Sequence, residues 1–380
     1  MTNTKHITTL LAATLLAAPM TAHAGLLGGL INKASSGGDS KTIDASKPDA
    51  TSASGVTMSV DNPEKLKGIK RVAIASFMVD IVDYLKQSQS VEGYEVLSGA
   101  PSELSMKVVG TDPTRYQAMV DAMYAQAVKD LTAQGFEVVP QTELAANAEF
   151  AKLVAKNSEN PNPRRVKSPV GENFYFTTHN LPEIVVDDTT IMQKIEFNIL
   201  SKRKVDPYIG DFSVGMNSAN NVNMGNIIAK QMNAAMINVR ITLLGAQASI
   251  DKSFWSSKNT AKVDAAIGFV PLFNRYLILL PDGGRARIAL HDQVTTGRIG
   301  DLVNVTSSTT KAGELAGNAA HVLGRFGMLG GFSGIAHSTI KYGHSMDFEA
   351  RMEPDKFNDA VTTAFAKVST SLATQLAQSR

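Results

Sequence analysis

Hydrophobic positions along the chain fall into blocks that differ in their spacing. The first block after the amino-terminal leader is residues 70–80, where two basic residues lead into a nearly unbroken apolar run that ends at Asp80. A continuous run rich in β-branched and aromatic side chains is typical of a strand covered on both faces. We therefore predict a buried strand at 70–80, around which the other elements are organised.

A helical period follows at residues 111–135. Apolar side chains recur there every three or four positions and form one broad face. Asp112 offers an N-cap, Pro113 suits the first helical position, and Gly135 suits the position just past the carboxyl end. These signals predict one long amphipathic helix.

Residues 136–140 predict a second strand, and residues 142–155 a further helix. A strand, a helix and a strand in this order indicate a β–α–β unit, whose crossover is right-handed if the strands are parallel. Between this unit's first strand and its helix, Ser88-Gln89-Ser90 indicates a loop or hairpin. The alternating pattern at 103–109 indicates a short strand.

The middle of the chain has weaker patterns. We interpret residues 157–169 as a surface loop, with the basic clusters at 164–167 and 202–204 solvated rather than binding a polyanion. The remaining assignments are strands at 174–176 and 184–186, a turn at 217–224 because of its four asparagines, and a helix at 224–236.

The last third of the chain has mainly the patterns of strands. Residues 237–244 alternate, with Asn, Arg and Thr on one side and aliphatic residues on the other. Further strands are predicted at 261–270, 276–280, 286–290 and 342–351, and an amphipathic closing helix at 355–378. The predicted fold class is α/β or α+β: a mixed sheet with covering helices, in one main globular domain after a disordered leader.

The amino terminus has the pattern of an export signal. Lys5 precedes a short apolar stretch, and Ala22-His23-Ala24 places small residues where a signal peptidase cuts. We predict a signal peptide at 1–24, cleaved before Gly25, rather than a retained membrane helix, since the apolar run is too short to span a bilayer. A disordered linker is predicted at 25–60 and a single α/β domain at 61–380, with 157–170 as an alternative sub-boundary.

Composition and net charge further restrict the class of protein to which the chain can belong. The chain has no cysteine, so disulfides and lipidation after the signal are both excluded. A secreted eukaryotic chain of this size usually carries disulfides, and their absence favours a bacterial periplasmic or secreted protein. The formal net charge is +2, or +1 once Lys5 leaves with the signal, which gives no electrostatic argument for nucleic acid as a partner.

Motifs for catalysis and metal binding are poorly matched. Ser333 lies in Gly-Phe-Ser-Gly-Ile, which lacks the last glycine of the nucleophile turn and follows no predicted strand. The histidines lack metal-ligand spacing, and His291-Asp292 is interpreted as a surface pair. The mature chain's histidines are His179, His291, His321, His337 and His344.

Two further groups have an ordinary interpretation and an alternative one. Glu183 with Asp187-Asp188 is read as a solvated acidic loop rather than a cation site, because no calcium-loop spacing surrounds it. Phe254 and Trp255 are read as core anchors, with a ligand platform as the alternative. No catalytic, cofactor-binding or metal-binding residue is assigned, and no cofactor is predicted.

Residues 312–336 are rich in glycine and alanine, with large apolar residues interspersed. Five glycines between 324 and 334 make a regular helix costly. We interpret the segment as a packed loop or lid, with peripheral contact to a membrane or a partner as the alternative.

The strand at 70–80, the helix at 111–131 and the strand at 136–139 together resemble curli-secretion-lipoprotein-like and TolB-amino-terminal-like α/β domains of bacterial envelope proteins. The resemblance covers roughly residues 67–155. It implies an α/β domain and an envelope role. The chain departs from the curli secretion protein in having no cysteine for a lipid anchor, and no functional residue is carried over.

Three functions follow as hypotheses. The first is a non-enzymatic, exported, envelope-associated protein that interacts with an envelope or secreted partner and assists its assembly or secretion. The second is an exported hydrolase whose site combines Ser333 with a distant histidine. The third is a small-ligand-binding protein that uses Phe254 and Trp255.

Overall fold

The computed structural model describes residues 42–47, 55–89, 102–157, 162–168, 171–179, 181–184, 212–252, 259–271, 273–306, 338–342 and 346–380. The predicted signal peptide at 1–24 and the segment at 312–336 lie outside these residues.

The described strands are β1 (Thr42–Asp44), β2 (Met58–Asp61), β3 (Arg71–Gln89), β4 (Ser102–Val109), β5 (Glu137–Val138), β6 (Arg164–Ser168), β7 (Gly171–Thr177), β8 (Ala235–Leu244), β9 (Gln247–Lys252), β10 (Asn259–Asp264), β11 (Ala266–Phe269), β12 (Arg275–Leu279), β13 (Arg285–Leu290), β14 (Gln293–Arg298), β15 (Gly300–Asn304), β16 (Ser338–Tyr342) and β17 (Met346–Met352). The described α-helices are α1 (Pro113–Ala133), α2 (Gln141–Ala146), α3 (Ala148–Asn157), α4 (Phe212–Met232) and α5 (Pro354–Ser379), and a 3-10 helix covers Pro63–Leu66.

Strand β3 is the centre of the larger sheet. Its residue Val79 pairs with Phe176 of β7 and with Ile241 of β8, so these two strands lie along opposite edges of β3. The pairing with β8 is parallel and the pairing with β7 is antiparallel. The predicted buried strand at 70–80 is therefore confirmed, and it is longer than predicted, since Ser88 and Gln89 still pair with β4.

Fourteen of the described strands form this sheet, with the main order β1-β14-β11-β8-β3-β4-β17-β15. Strands β12, β13 and β2 branch from β8, while β5, β7 and β6 branch from β3. Strands β9, β10 and β16 form a separate small sheet. The mixed parallel and antiparallel sheet with covering helices confirms the predicted fold class.

Helices α1 and α5 pack on one face of the larger sheet, which we call the helix-covered face. The ring of Phe77 on β3 meets Tyr124 of α1 edge-on at 5.7 Å between centroids and Phe365 of α5 at 6.1 Å. Tyr116 of α1 stacks on Phe357 of α5 at 5.3 Å. Because side chains alternate along a strand, the residues between Phe77 and its same-face neighbours point to the opposite face.

The helix predicted at 111–135 is confirmed with its caps. The side chain of Asp112 accepts a 3.0 Å hydrogen bond from the backbone N–H of Thr114, Pro113 begins the helix, and Gly135 has φ +81° just past its end. Strand β5 then pairs in parallel with the start of β3. The strand–helix–strand unit of the sequence is therefore present, with the β3–β4 hairpin between its first strand and its helix.

The single helix predicted at 142–155 is wrong, because Asn147 divides it into α2 and α3. Asn147 has an extended ψ of 121°. Its Oδ1 accepts hydrogen bonds of 3.0 Å from the backbone N–H groups of Glu149 and Phe150. A side chain that caps the second helix in this way competes with continuation of the first.

Two predicted loops are regular structure. Residues 164–168, predicted as part of a loop, form β6, which pairs antiparallel with β7. Residues 217–224, predicted as a turn, lie inside α4. Asparagine disfavours helices only weakly, and tertiary contacts override this preference. The predicted strand at 184–186 is not a strand at Ile184, and its other two residues lie outside the described part of the chain.

The linker predicted at 25–60 also contains strands. Strand β1 pairs in parallel with β14, and β2 pairs antiparallel with β13. Ordered structure therefore begins before Asp61, and a pairing of such distant segments leaves little local signal in the sequence. The division into a linker and one domain otherwise stays a prediction.

In the last third, two predicted strands are each divided between the two sheets. The strand predicted at 261–270 becomes β10 in the small sheet and β11 in the larger one. The strand predicted at 342–351 is represented by β16 and β17, which also lie in different sheets. The strands predicted at 276–280 and 286–290 are confirmed as the hairpin of β12 and β13, and the closing helix is confirmed as α5.

Candidate functional site

The face of the larger sheet opposite α1 and α5 carries a group of buried polar side chains. We call this group the polar face, and its members come from β3, β7 and β8: Asp80, Asn173, Tyr175, Asn238, Arg240 and Thr242. Strand register brings them together, since Asp80 pairs with Tyr175 on one side and with Thr242 on the other. Strand β8 therefore has the polar and apolar sides that its alternation predicts, but all ten of its residues are buried.

Asp80 lies at the centre of the polar face with 0 % of its surface exposed. Its Oδ1 accepts a 2.8 Å hydrogen bond from Nδ2 of Asn173. Burial raises the pKa of Asp80 to about 6, although the positive charge of Arg240 and the bond from Asn173 act in the opposite direction. Oδ2 of Asp80 has no hydrogen-bond partner among the described residues.

Arg240 is buried beside Asp80, with 8 % of its surface exposed. Its guanidinium carbon lies 5.8 Å from the ring centroid of Tyr175, and its Nε has no hydrogen-bond partner among the described residues. A buried guanidinium usually forms several hydrogen bonds, because removing its charge from water is costly. The Asp80 carboxylate attracts Arg240 without forming a hydrogen bond to it.

A second charged pair borders the polar face. Nη2 of Arg164 lies 2.9 Å from Oε1 of Glu183, and their side chains are only 11 % and 7 % exposed. The guanidinium of Arg164 also lies 4.7 Å from the ring centroid of Tyr175. The interpretations of Arg164 as part of a solvated basic cluster and of Glu183 as part of a solvated acidic loop are therefore wrong.

Unpartnered polar atoms set the polar face apart from an ordinary core. Among the described residues, no partner is present for the following atoms: Oδ2 of Asp80, Oδ1 of Asn173, Oδ1 and Nδ2 of Asn238, Nε of Arg240 and Oγ1 of Thr242. Each unsatisfied buried group costs roughly 1–3 kcal/mol, and a whole protein is stable by only about 5–15 kcal/mol. Water or a ligand on these atoms would remove most of this cost.

Two histidines named in the sequence lie apart from the polar face. The exposed ring of His179 contacts the carboxylate of Asp121, which also accepts a 3.1 Å hydrogen bond from the backbone N–H of His179. Burial acts to raise the pKa of Asp121, but hydrogen bonds from His179, Thr178 and Gln117 outweigh it and lower that pKa. This pair joins α1 to the end of β7.

The prediction that His291 and Asp292 form a surface pair is wrong for Asp292, because Asp292 is only 1 % exposed. Its Oδ2 accepts a 2.7 Å hydrogen bond from the backbone N–H of Thr57. The backbone N–H of His291 donates a 2.9 Å hydrogen bond to the carbonyl of Thr57. Both residues therefore fix the segment that enters β2.

The other residues named in the sequence lie outside the described part of the chain: Asp187, Asp188, Phe254, Trp255, His321, Ser333, His337 and His344. Within the described part, no group of three or more His, Asp or Glu side chains is placed to hold a metal ion. Nor does any described helix have the length and apolar character needed to cross a membrane.

The edge of β15 that faces away from β17 pairs with no other described strand; we call it the open edge, and it is the second feature with functional potential. Strand β15 ends the larger sheet and pairs only with β17 among the described strands. The backbone N–H of Val305 donates to the carbonyl of Asp347 at 2.8 Å. Since bonding alternates in an antiparallel pair, the backbone groups of Leu302 and Asn304 point away from β17 to the open side.

The fold and these two features define a mixed α/β sheet protein with a buried polar centre. The chain has no significant match among protein-family models, curated proteins or solved structures. The likeness to curli-secretion-lipoprotein-like and TolB-amino-terminal-like domains stays a prediction.

Sequence reasoning missed the polar face as a site. Asp80 was visible only as the last residue of an apolar run, and Asn173 lies 93 positions further along the chain. One signal was present: three polar residues alternate with aliphatic ones at 238, 240 and 242. That pattern is also the usual pattern of a strand with one solvated side, so it does not by itself indicate burial.

Proposed function

We propose that this protein is exported to the bacterial periplasm and acts there as a non-enzymatic, envelope-associated interaction protein. Its role is to assist the assembly or secretion of another envelope component. The supports from the sequence are the export-signal pattern at 1–24, the absence of cysteine, and the likeness of residues 67–155 to envelope domains.

The structural observation that carries the proposal is the open edge of β15. An unpaired strand edge is a template on which a second polypeptide can add as a further strand. The open edge presents the backbone groups of Leu302 and Asn304, and the neighbouring Val305 is 41 % exposed. The occupant we propose is an extended segment of an envelope or secreted partner, held by main-chain hydrogen bonds.

Substitution of Val303 by lysine tests the edge without disturbing the core. Val303 is half-buried and pairs with Glu349 of β17, so a lysine there lies beside an opposite charge. Lysines on edge strands are a common device against strand addition. Ala133→Lys is the control, because it adds the same charge at an exposed position in the last turn of α1, where a cation is favourable.

The experiment compares cross-linked complexes recovered from the periplasm of the native host. We expect the unaltered chain and Ala133→Lys to give the same cross-linked partner, and Val303→Lys to reduce its recovery about tenfold, the equivalent of about 1.4 kcal/mol. Recovery of only solitary monomer from all three strains would overturn the proposed function. Equal recovery with Val303→Lys would overturn the role of the β15 edge.

A second candidate function, binding of a small ligand, is favoured by the unpartnered polar atoms of the polar face.

A further inference from the structure

The polar face holds two opposite charges that are close but not bonded to one another. Asp80 pairs with Thr242 across β3 and β8, and Arg240 pairs with Met78 on the same two strands. The two side chains are therefore diagonal neighbours on one face of the parallel pair. Each has an atom without a hydrogen-bond partner among the described residues, Oδ2 of Asp80 and Nε of Arg240.

The neutral groups around these charges offer both donors and acceptors. Oδ1 of Asn173 is an acceptor next to Asp80. The hydroxyl of Thr242, which is opposite Asp80 and two residues after Arg240 on β8, is both donor and acceptor. Asn238 lies two residues before Arg240 on β8 and has an unpartnered donor and acceptor. These side chains are all at least nine-tenths buried.

We infer that the polar face binds a small zwitterion with the chemistry of an α-amino acid. Its carboxylate lies on the guanidinium of Arg240, and its ammonium group lies on the carboxylate of Asp80. Oδ1 of Asn173 accepts from the ammonium group, and the hydroxyl of Thr242 donates to the carboxylate. The proposal is independent of the β15 edge.

Charge balance favours a zwitterion over a simple ion. An anion on Arg240 alone would lie beside the negative charge of Asp80, and a cation on Asp80 alone would lie beside Arg240. A zwitterion places an opposite charge beside both Asp80 and Arg240, and it leaves the net charge of the polar face unchanged. Guanidinium groups bind carboxylates through paired hydrogen bonds, which suits Arg240, whose Nε has no partner among the described residues.

Burial raises the pKa of Asp80 to about 6, so its carboxylate is mostly ionised in a buffer near pH 8, and binding is therefore measured at pH 8. The purified mature chain is titrated by calorimetry with glycine, L-alanine, L-serine and L-glutamate. Acetate, methylammonium and D-glucose serve as probes that carry only a carboxylate, only an ammonium group, or only hydroxyl groups.

We expect at least one amino acid to bind, and acetate and methylammonium to bind at least about tenfold more weakly, since each meets only one of the two charges. Asp80→Asn and Arg240→Gln are expected to weaken amino-acid binding at least about tenfold. Arg287→Gln is the control, because Arg287 forms a surface ion pair with Asp61 and lies outside the polar face.

Each of the following results would overturn the inference. They are no binding of any amino acid in the panel, binding of acetate or D-glucose as strong as that of the amino acids, and unchanged affinity in Asp80→Asn. A crystal structure of the amino-acid-soaked protein with only water on these atoms would have the same consequence. If Asp80→Asn and Arg240→Gln do not fold, the comparison of amino acids with acetate and methylammonium on the unaltered protein decides the question alone.

Discussion

Nδ2 of Asn173 donates a 2.8 Å hydrogen bond to Oδ1 of Asp80, and both side chains are fully buried. The bond joins two strands whose residues lie 93 positions apart in sequence. It stabilises the charged form of Asp80, but burial has the larger and opposite effect, and the pKa of the carboxyl rises from 3.8 to about 6. Asp80 is therefore a group whose charge costs stability in the folded protein.

The first prediction is that the free energy of unfolding falls as the pH rises from about 4 to about 6. Within this window the folded protein holds a proton on Asp80 that the unfolded chain has released, so raising the pH favours unfolding. Above pH 6 the penalty stays constant at about 3 kcal/mol, which corresponds to about two pKa units. Asp80→Asn should remove the part of this dependence that Asp80 contributes and stabilise the ligand-free protein at pH 7.

Urea unfolding at a series of pH values measures this effect. Some dependence should remain in Asp80→Asn, because burial also raises the pKa of Asp83 on the same strand to about 6. A slope in Asp80→Asn equal to that of the unaltered protein would show that Asp80 is not the titrating group.

The second prediction concerns Thr242, whose side-chain hydroxyl is fully buried and has no partner among the described residues. Thr242→Val replaces this hydroxyl by a methyl group and leaves the backbone bonds of residue 242 to Asn274 in place. Because an unsatisfied buried hydroxyl costs about 1–3 kcal/mol, the variant should be more stable by about 1 kcal/mol without ligand. Thermal unfolding in amino-acid-free buffer is the measurement, and a loss of stability would mean that ordered water satisfies the hydroxyl.

Strand β8 shows what could be predicted from the sequence and what could not. Its position and its alternation of polar and aliphatic residues were predictable, because both depend on local spacing. The burial of Asn238, Arg240 and Thr242 was not, because it depends on which distant segments cover that side of the sheet. The same reason explains why Arg164 and Glu183 were placed at the surface, although their ion pair is buried.

Helix α4 shows the opposite kind of error, in which a local preference was given too much weight. The asparagines at 217–224 indicated a turn, yet the residues are helical and Asn221 is 1 % exposed. Nδ2 of Asn221 lies 3.3 Å from Oδ1 of Asn157, the last residue of α3. Contacts between helices are thus available to the side chains that made the segment look like a turn.

The third prediction concerns Arg71, which joins three elements at the start of β3. Its guanidinium donates to Glu137 at 2.8 Å, to Glu143 at 2.5 Å and to the carbonyl of Met232 at 2.6 Å. Lysine cannot reproduce these three hydrogen bonds, because its ammonium group is compact and lacks the planar, spread donors of a guanidinium. Arg71→Lys should lower the free energy of unfolding by about 1–2 kcal/mol, because charge-assisted hydrogen bonds are lost while the site stays partly solvated.

Lys65→Gln is the matched control for Arg71, because Lys65 forms an exposed ion pair of 3.5 Å with Asp282. Exposed pairs contribute about 0–1 kcal/mol, so this variant should change stability by less than Arg71→Lys does. An equal effect of the two substitutions would mean that Arg71 acts only as an ordinary surface charge.

The last prediction compares two glycines with the same backbone conformation in different surroundings. Gly68, between the 3-10 helix and β3, and Gly110, at the end of β4, both have φ +80°. A Cβ at Gly68 would meet no atom within 4 Å, whereas a Cβ at Gly110 would overlap the carbonyl oxygen of Met352 on β17. Alanine should therefore be strained at both positions but sterically excluded only at Gly110.

Left-handed backbone costs a non-glycine residue roughly 1–2 kcal/mol, which is the loss expected for Gly68→Ala. Gly110→Ala should lose about 1–3 kcal/mol more, because the Met352 carbonyl belongs to a strand that is paired on both sides and cannot move alone. Urea unfolding of the two variants, with equal slopes as the test of a common unfolded state, measures the difference. Equal losses would show that β17 shifts freely, and the close approach of Gly110 to that strand would then have no part in holding the sheet together.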